Sequence, residues 1–245
     1  MKKFYFTGTG NSLYIAKRLG GELYSIPQVL KGEKIGIIFP IYGFSMTAIV
    51  MEFMEKFTLK SPYIFVIMTC GSSSGDATKY FTSFAKKHNI EVNYSNSIAI
   101  IGNHIPLVNI DEQKSLDKNI EVNINKLIKD ISNKKNYIHG GSPIGPVMRN
   151  VIKVVKKIKA MDSLDNFYVN EDCIKCNICI KVCPRANVSY SESKHIIFGK
   201  QCESCLSCVN NCPKKAIQVK GDKNPNARFR NDYISLKEII DSNQQ

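Results

Sequence analysis

Two cysteine runs constrain this chain more than any other feature: "CIKCNICIKVCP", from Cys173 to Pro184, and "CESCLSCVNNCP", from Cys202 to Pro213. Both are spaced C-x2-C-x2-C-x3-C-P. A segment this short has little apolar core of its own, so whatever the thiols bind must supply much of its folding energy. Thiolates three residues apart converge on one point. A run of this kind wraps one side of a cubic cluster, and its fourth cysteine reaches the other cluster. The spacing therefore predicts two [4Fe-4S] clusters. One is held by Cys173, Cys176, Cys179 and Cys212, the other by Cys202, Cys205, Cys208 and Cys183. Each proline ends its local turn and removes an N–H. Structural zinc is the competing reading, but zinc usually takes two pairs separated by a longer loop. Two triplets, each closed by Cys-Pro, match that pattern poorly.

Residues 166–220 resemble the bacterial two-cluster [4Fe-4S] ferredoxins. Ile174, Ile178, Ile180 and Leu206, between the ligands, suit a packed, water-poor cluster shell, which helps to keep a potential low. Between the runs, "VSYSESKHIIF" reads as strand, polar turn and strand, and "AIQVK" supplies another strand after the second run.

The N-terminus lacks a signal peptide's apolar stretch, and no apolar run reaches the roughly 18 residues of a membrane span. The expectation is a cytoplasmic protein with no membrane association, whose nine cysteines serve metal or redox chemistry rather than disulfides. The formal charge of +13 counts every cysteine as neutral. Two bound clusters with their thiolates would each carry about −2 when oxidised, so the working protein is less basic than its sequence. Lysine far outnumbers arginine, so the guanidinium forks that read bases are scarce. The basic balance points to acidic redox protein partners and not to nucleic acid.

The first half alternates buried strand runs with helical patterns. "KKFYF", "KIGIIFPIY", "YIFVIMT" and "IEVNYSNSIAII" read as strands, with "ELYSIPQ" as a weak edge strand. "NSLYIAKRLG", "AIVMEFMEKF" and "ATKYFTSFAKKHN" read as helices. Continuous apolar strands alternating with helices predict an α/β fold, a doubly wound parallel sheet of about five strands covered on both faces. "HGGSPIGP" punctuates the chain and marks a junction. The expected organisation is a first domain over 1–138, a linker and connector helix over 139–165, a small α+β cluster domain over 166–220, and a polar tail over 221–245. The connector carries Val147, Val151, Val154, Val155 and Ile158 on one side and basic residues on the other. The tail contains one short helix, "SLKEIID", expected to lie across a neighbouring domain.

Between the first strand and helix lies "TGTGNS": Thr7, Gly8, Thr9, Gly10, Asn11 and Ser12. Two glycines let backbone N–H groups turn toward one anion, and the helix N-terminus adds a favourable dipole. The loop has no Gly-Lys-Ser/Thr and fails the dinucleotide fingerprint at Leu13. A lysine-free nest of hydroxyls and amides suits a terminal monoester phosphate. A plain glycine turn before a capped helix would read the same way. Two further loops favour the ligand, because both follow apolar strands and so lie at the sheet edge where ligands bind. They are Pro40, Tyr42, Gly43 and Phe44, and Thr69, Cys70, Gly71, Ser72, Ser73 and Ser74. The loop Gly102, Asn103 and His104 follows the last strand.

The first loop resembles the FMN phosphate loop of flavodoxins, and the likeness extends loosely over 2–133. It implies FMN as cofactor, with Tyr42 or Phe44 against the flavin ring. Gly43 would allow the peptide rearrangement that accompanies flavin reduction. Backbone N–H groups of Gly71 to Ser74 would meet the pyrimidine edge, and Gly102 to His104 would touch the same ring. The absence of tryptophan and the basic balance depart from ordinary flavodoxins. Cys70 reads as a small buried residue. His104 reads equally as a flavin contact or a loop cap.

The whole chain resembles fusions of a flavodoxin domain with a two-cluster ferredoxin domain. The resemblance implies an electron carrier linking one-electron clusters to a two-electron flavin. An FMN-dependent reductase acting on a small molecule is the alternative, although no catalytic acid constellation stands out. A cluster-sensing nucleic-acid regulator lacks any reading module.

Overall fold

The computed structural model describes residues 1–25, 33–57, 59–105, 108–158, 164–222 and 224–243. The expectations for 26–28 of the edge strand and for 159–162 of the connector helix lie outside these residues. In chain order the elements are β1 (Lys2–Tyr5), α1 (Asn11–Arg18), β2 (Glu22–Ser25), β3 (Ile35–Pro40), α2 (Ala48–Lys56), β4 (Ile64–Cys70), α3 (Ala77–Lys87) and β5 (Tyr94–Ala99). Then come α4 (Ile110–Ser115), α5 (Ile120–Ser132), β6 (Tyr137–Ile138), α6 (Gly145–Ile158), β7 (Phe167–Val169), α7 (Ile178–Lys181), β8 (Val188–Tyr190), β9 (Ile196–Phe198), α8 (Ser207–Asn210), β10 (Ile217–Val219) and α9 (Leu236–Asn243).

The first six strands form one parallel sheet in the order β2-β1-β3-β4-β5-β6. β4 is buried along its whole length, as a central parallel strand covered on both faces must be. The sheet has six strands, not the five expected from sequence. The sixth is two exposed residues, Tyr137 and Ile138, paired with Tyr94 and Ser95. So short a strand has no apolar run. Backbone pairing recruits it, and its sequence carries no periodicity to announce it. From β1 the chain steps outward to β2, then returns past β1 to β3. The carboxyl ends of β1 and β3 therefore flank the point where the winding reverses, which is where open α/β sheets leave a crevice.

Inside this layer Lys3 is fully buried and donates its Nζ–H to the Ala16 carbonyl in the last turn of α1. Desolvation pulls its pKa down to about 8.

The chain divides into two compact units that interleave in sequence. Unit 1 comprises Met1–Thr7, Asn11–Ile100 and Asp117–Val155; unit 2 comprises Gly8–Gly10, Ile101–Leu116 and Lys156–Gln245. Unit 2 has its own core, in which Ile105, Ile110, Leu206, Val209, Ile217 and Phe229 are buried together. Two antiparallel pairs, β7 with β10 and β8 with β9, frame it. α9 opens with a capping box: Ser235 N–H donates to Glu238 Oε2 at 2.9 Å, and Glu238 N–H donates to Ser235 Oγ at 3.2 Å. The apolar side of α6 is exposed at Val147, Val151, Val154 and Val155; the side chain of Ile158 lies outside the description.

Candidate functional site

The two cysteine runs fold as copies of one another. In the first, left-handed residues fall at Lys175, Asn177 and Ala186; in the second, at Ser204, Leu206 and Lys215. These are equivalent positions in the two runs, and none is glycine. A non-glycine residue with positive φ carries a steric cost, so its recurrence at matching places marks a constraint worth that cost. Asn177 and Leu206 each precede a single helical turn, α7 and α8, which carry Cys179 and Cys208. After the fourth cysteine of each run, the cysteine carbonyl accepts from the N–H three residues on, Ala186 at 3.1 Å and Lys215 at 3.0 Å. Pro184 and Pro213 thus occupy the second position of a β-turn, where their fixed φ is favourable. Each turn also aims an N–H back at a sulfur. Asn187 N–H donates to Cys183 Sγ at 3.2 Å, and Ala216 N–H donates to Cys212 Sγ at 3.3 Å.

The thiols gather in two crossed quartets. Cys173, Cys176, Cys179 and Cys212 line one cavity, with Ile174, Ile178 and Tyr190. Cys183, Cys202, Cys205 and Cys208 line a second, with Leu206 and Phe198. Burial, reinforced by Cys176, Cys212 and Cys173, pushes the Cys179 thiol up to about 11. Burial pushes Cys205 up to about 12, with Cys183 and Cys202 adding to it, and raises Cys208 well above its ordinary value. Within the first quartet Cys176 is exposed whereas Cys179 is buried. The donor set fits iron–sulfur clusters: soft thiols in a desolvated shell, with backbone N–H groups directed at sulfur. The buried Tyr190 hydroxyl beside the first cavity has no hydrogen-bond partner. Among the described residues, no three His, Cys, Asp or Glu side chains are arranged to hold a single metal ion.

The predicted flavin loops occupy the carboxyl edge of the sheet. Thr7, Thr9, Asn11 and Ser12 are all buried. Ser12 Oγ and Thr69 Oγ1 lie 3.1 Å apart, which ties the loop after β1 to the end of β4. Asn103 donates its side-chain amide to Thr9 Oγ1, so this residue serves the first loop. Gly102 N–H donates to Gln113 Oε1 at 3.2 Å, and the His104 carbonyl accepts from Val108 N–H at 3.1 Å.

The second loop is a tight turn. Tyr42 and Ser45 exchange backbone hydrogen bonds around Gly43 and Phe44, both with positive φ (59° and 60°). Phenylalanine in that conformation is strained. Its ring lies against Gly75 in the third loop, where an added Cβ would come within 2.8 Å of it. In the third loop Ser74 Oγ lies 3.0 Å from Ser97 Oγ, and Gly75 N–H donates to Ser73 Oγ at 3.1 Å. Cys70 is buried, its Sγ–H directed at the Ile98 carbonyl, and burial pushes its pKa up to about 11. That is the environment of a packing residue and not of a reactive thiolate.

Four residues near these loops gave no signal in the sequence. Lys118 donates to the carbonyls of Gly71 and Ile100 across the ends of β4 and β5, yet in sequence it is one lysine in a lysine- and asparagine-rich stretch. Thr47, just before α2, buries its hydroxyl without a hydrogen-bond partner. Asp76 is ion-paired with Arg149, both largely buried, and the Arg149 guanidinium lies 4.2 Å from the Tyr80 ring centroid. The stretch read from sequence as a junction thus packs on the third loop, with Ser142 N–H donating to the Gly75 carbonyl at 2.9 Å. The hydroxyl-lined loop ahead of α1 and the orphaned Thr47 hydroxyl at the same sheet edge fit a polar ligand bearing an anionic end.

Residues 172–217 match the protein family described as the 4Fe-4S dicluster domain. No curated protein matches the chain. The matched stretch is a ferredoxin-type iron–sulfur domain, and such a domain implies electron transfer. No helix among the described residues is long and apolar enough to cross a membrane.

Proposed function

We propose that this chain is an electron carrier in which two [4Fe-4S] clusters exchange electrons with one FMN, and that it links one-electron protein partners to two-electron chemistry. The observation that carries the cluster assignment is the crossing: Cys212 lines a cavity with the first triplet, Cys183 with the second. A run whose fourth cysteine serves the other cluster has this arrangement. For the flavin, support comes from the order β2-β1-β3-β4-β5 within the six-stranded sheet, with the hydroxyl-rich loop and the Gly43–Phe44 turn at the β1/β3 switch point, an order shared with flavodoxin-like sheets. FMN would supply a centre able to take electrons singly or in pairs. The residues that would hold it are Thr7 to Ser12 at the phosphate, with the 40–44 and 69–74 loops flanking the ring. Acidic redox proteins remain the partners that the net charge of +13 favours.

Anaerobically purified protein with iron and flavin quantified tests this reading. About eight irons and one FMN per chain are expected; about four irons, or no flavin, would overturn it. Turnover with a small-molecule oxidant, and no exchange with redox proteins, would make the chain a reductase instead.

A further inference from the structure

Gly8, Thr9 and Gly10 pack within unit 2, the unit that carries the clusters. A Cβ on Gly8 would lie 2.9 Å from the carbonyl oxygen of Cys205, one of the second quartet. The Thr9 carbonyl accepts from Asn231 N–H at 2.9 Å, and the Thr9 hydroxyl accepts from Asn103. Gly10, at φ 94°, has the Ile234 and Asn231 side chains 3.0 to 3.3 Å from where its Cβ would stand. Asn231 and Ile234 are themselves buried. They are tied back to the second cysteine run, because Asn210 in α8 accepts from Phe229 N–H at 2.9 Å. At its far end the tail returns to the first run, where Asn243 donates to the Val182 carbonyl at 3.0 Å.

We propose that Asn103, Asn231 and Ile234 are positioning residues that hold Gly8–Gly10 in a phosphate-binding conformation, and that through this clasp the cluster at Cys205 and the phosphate of FMN stabilise each other. The proposal rests on the flavin reading above. A loop containing two glycines has much conformational freedom, and an anion nest works only when its N–H groups already converge. Fixing one residue's backbone beforehand removes an ordering cost equivalent to about tenfold in affinity. With Thr9 Oγ1 accepting from Asn103, its own proton is left to point toward an anion. The second cluster orders α8, α8 holds Phe229, and the tail holds Thr9. The coupling is reciprocal, so bound phosphate must in turn stabilise the cluster that organises its loop.

The test uses the full-length, cluster-loaded protein and two ligands, FMN and riboflavin, which share the ring and differ by the phosphate. Asn103→Ala and Ile234→Ala are each expected to weaken FMN binding about tenfold, measured by quenching of flavin fluorescence, while riboflavin binding and iron content stay at the wild-type level. FMN, but not riboflavin, is expected to slow removal of iron by a chelator. Equal loss of FMN and riboflavin binding in the variants would reduce these residues to structural props and overturn the proposal. Unchanged FMN affinity in both variants, or iron loss indifferent to FMN, would overturn it too, with the flavin reading left standing. If the wild-type protein binds no FMN, the flavin reading falls and the proposal falls with it.

Discussion

Gly8→Ala places one methyl group against a ligand of the second quartet. The new Cβ would stand 2.9 Å from the Cys205 carbonyl oxygen and 3.2 Å from Cys205 Cβ. Ordinary contact begins at 3.4 Å, so either the loop or Cys205 must retreat by about 0.5 Å. The obstructing atom is backbone, which cannot rotate away as a side-chain tip would. Overpacking of this size costs about 1–3 kcal/mol. That cost falls on a ligand of the second quartet only. At about 1.4 kcal/mol per tenfold, the second cluster should lose iron to a chelator roughly tenfold to a hundredfold faster. Absorbance bleaching under anaerobic chelation is the assay. The wild-type trace should split in the variant, roughly half the iron leaving quickly and half at the original rate. Gly140→Ala is the control, because nothing lies within 4 Å of its added Cβ. A single unchanged phase in Gly8→Ala, or acceleration of the whole trace, would refute the placement of Gly8 against one cluster alone.

Three further outcomes follow from the geometry. Cys183→Ser should remove the same paramagnetic signal as Cys205→Ser, and Cys212→Ser the same as Cys173→Ser; the reverse pairing in electron paramagnetic resonance spectra would break the crossed assignment. Arg149→Ala should cost about 3–5 kcal/mol by leaving the buried Asp76 carboxylate unpaired, read as a lower denaturation midpoint; a loss below 1 kcal/mol would show that solvent already screens the pair. Lys3 is depressed from 10.5 to about 8, so between those values the folded state is neutral while the unfolded state still binds a proton. Stability from this site is therefore withheld below about pH 8 and recovered as the pH rises toward 10.5, by about 3 kcal/mol. Wild type should gain on Lys3→Met across that window in urea melts, and a constant difference would contradict the burial of the amine.

Much of the site was legible because its signals are local. C-x2-C-x2-C-x3-C-P is a statement about convergence within a few residues. The phosphate-loop reading also rests on a local pattern, glycines and hydroxyls between a strand and a helix. Asn103 was read from sequence as part of the Gly102–His104 loop against the flavin ring. That it serves Thr9 depends on where two distant loops end in space. β6 was missed because two exposed residues, paired only through their backbone, carry no pattern.

By itself the sequence determined the residue types at each centre: eight thiols spaced for clusters, a loop of glycines and hydroxyls between a strand and a helix, and alternating buried strands that require a parallel sheet. Those are properties of residue type and short-range spacing. Tertiary structure decided which thiols share a cavity, that Lys118 spans the ends of β4 and β5, and that Gly8–Gly10 lies among the residues of the cluster-bearing unit. The physical reason is that Cys205, Asn103, Asn231 and Ile234 reach the loop from three separate stretches of chain. Contacts between segments so far apart in sequence form only once that unit has closed, and no local pattern encodes them.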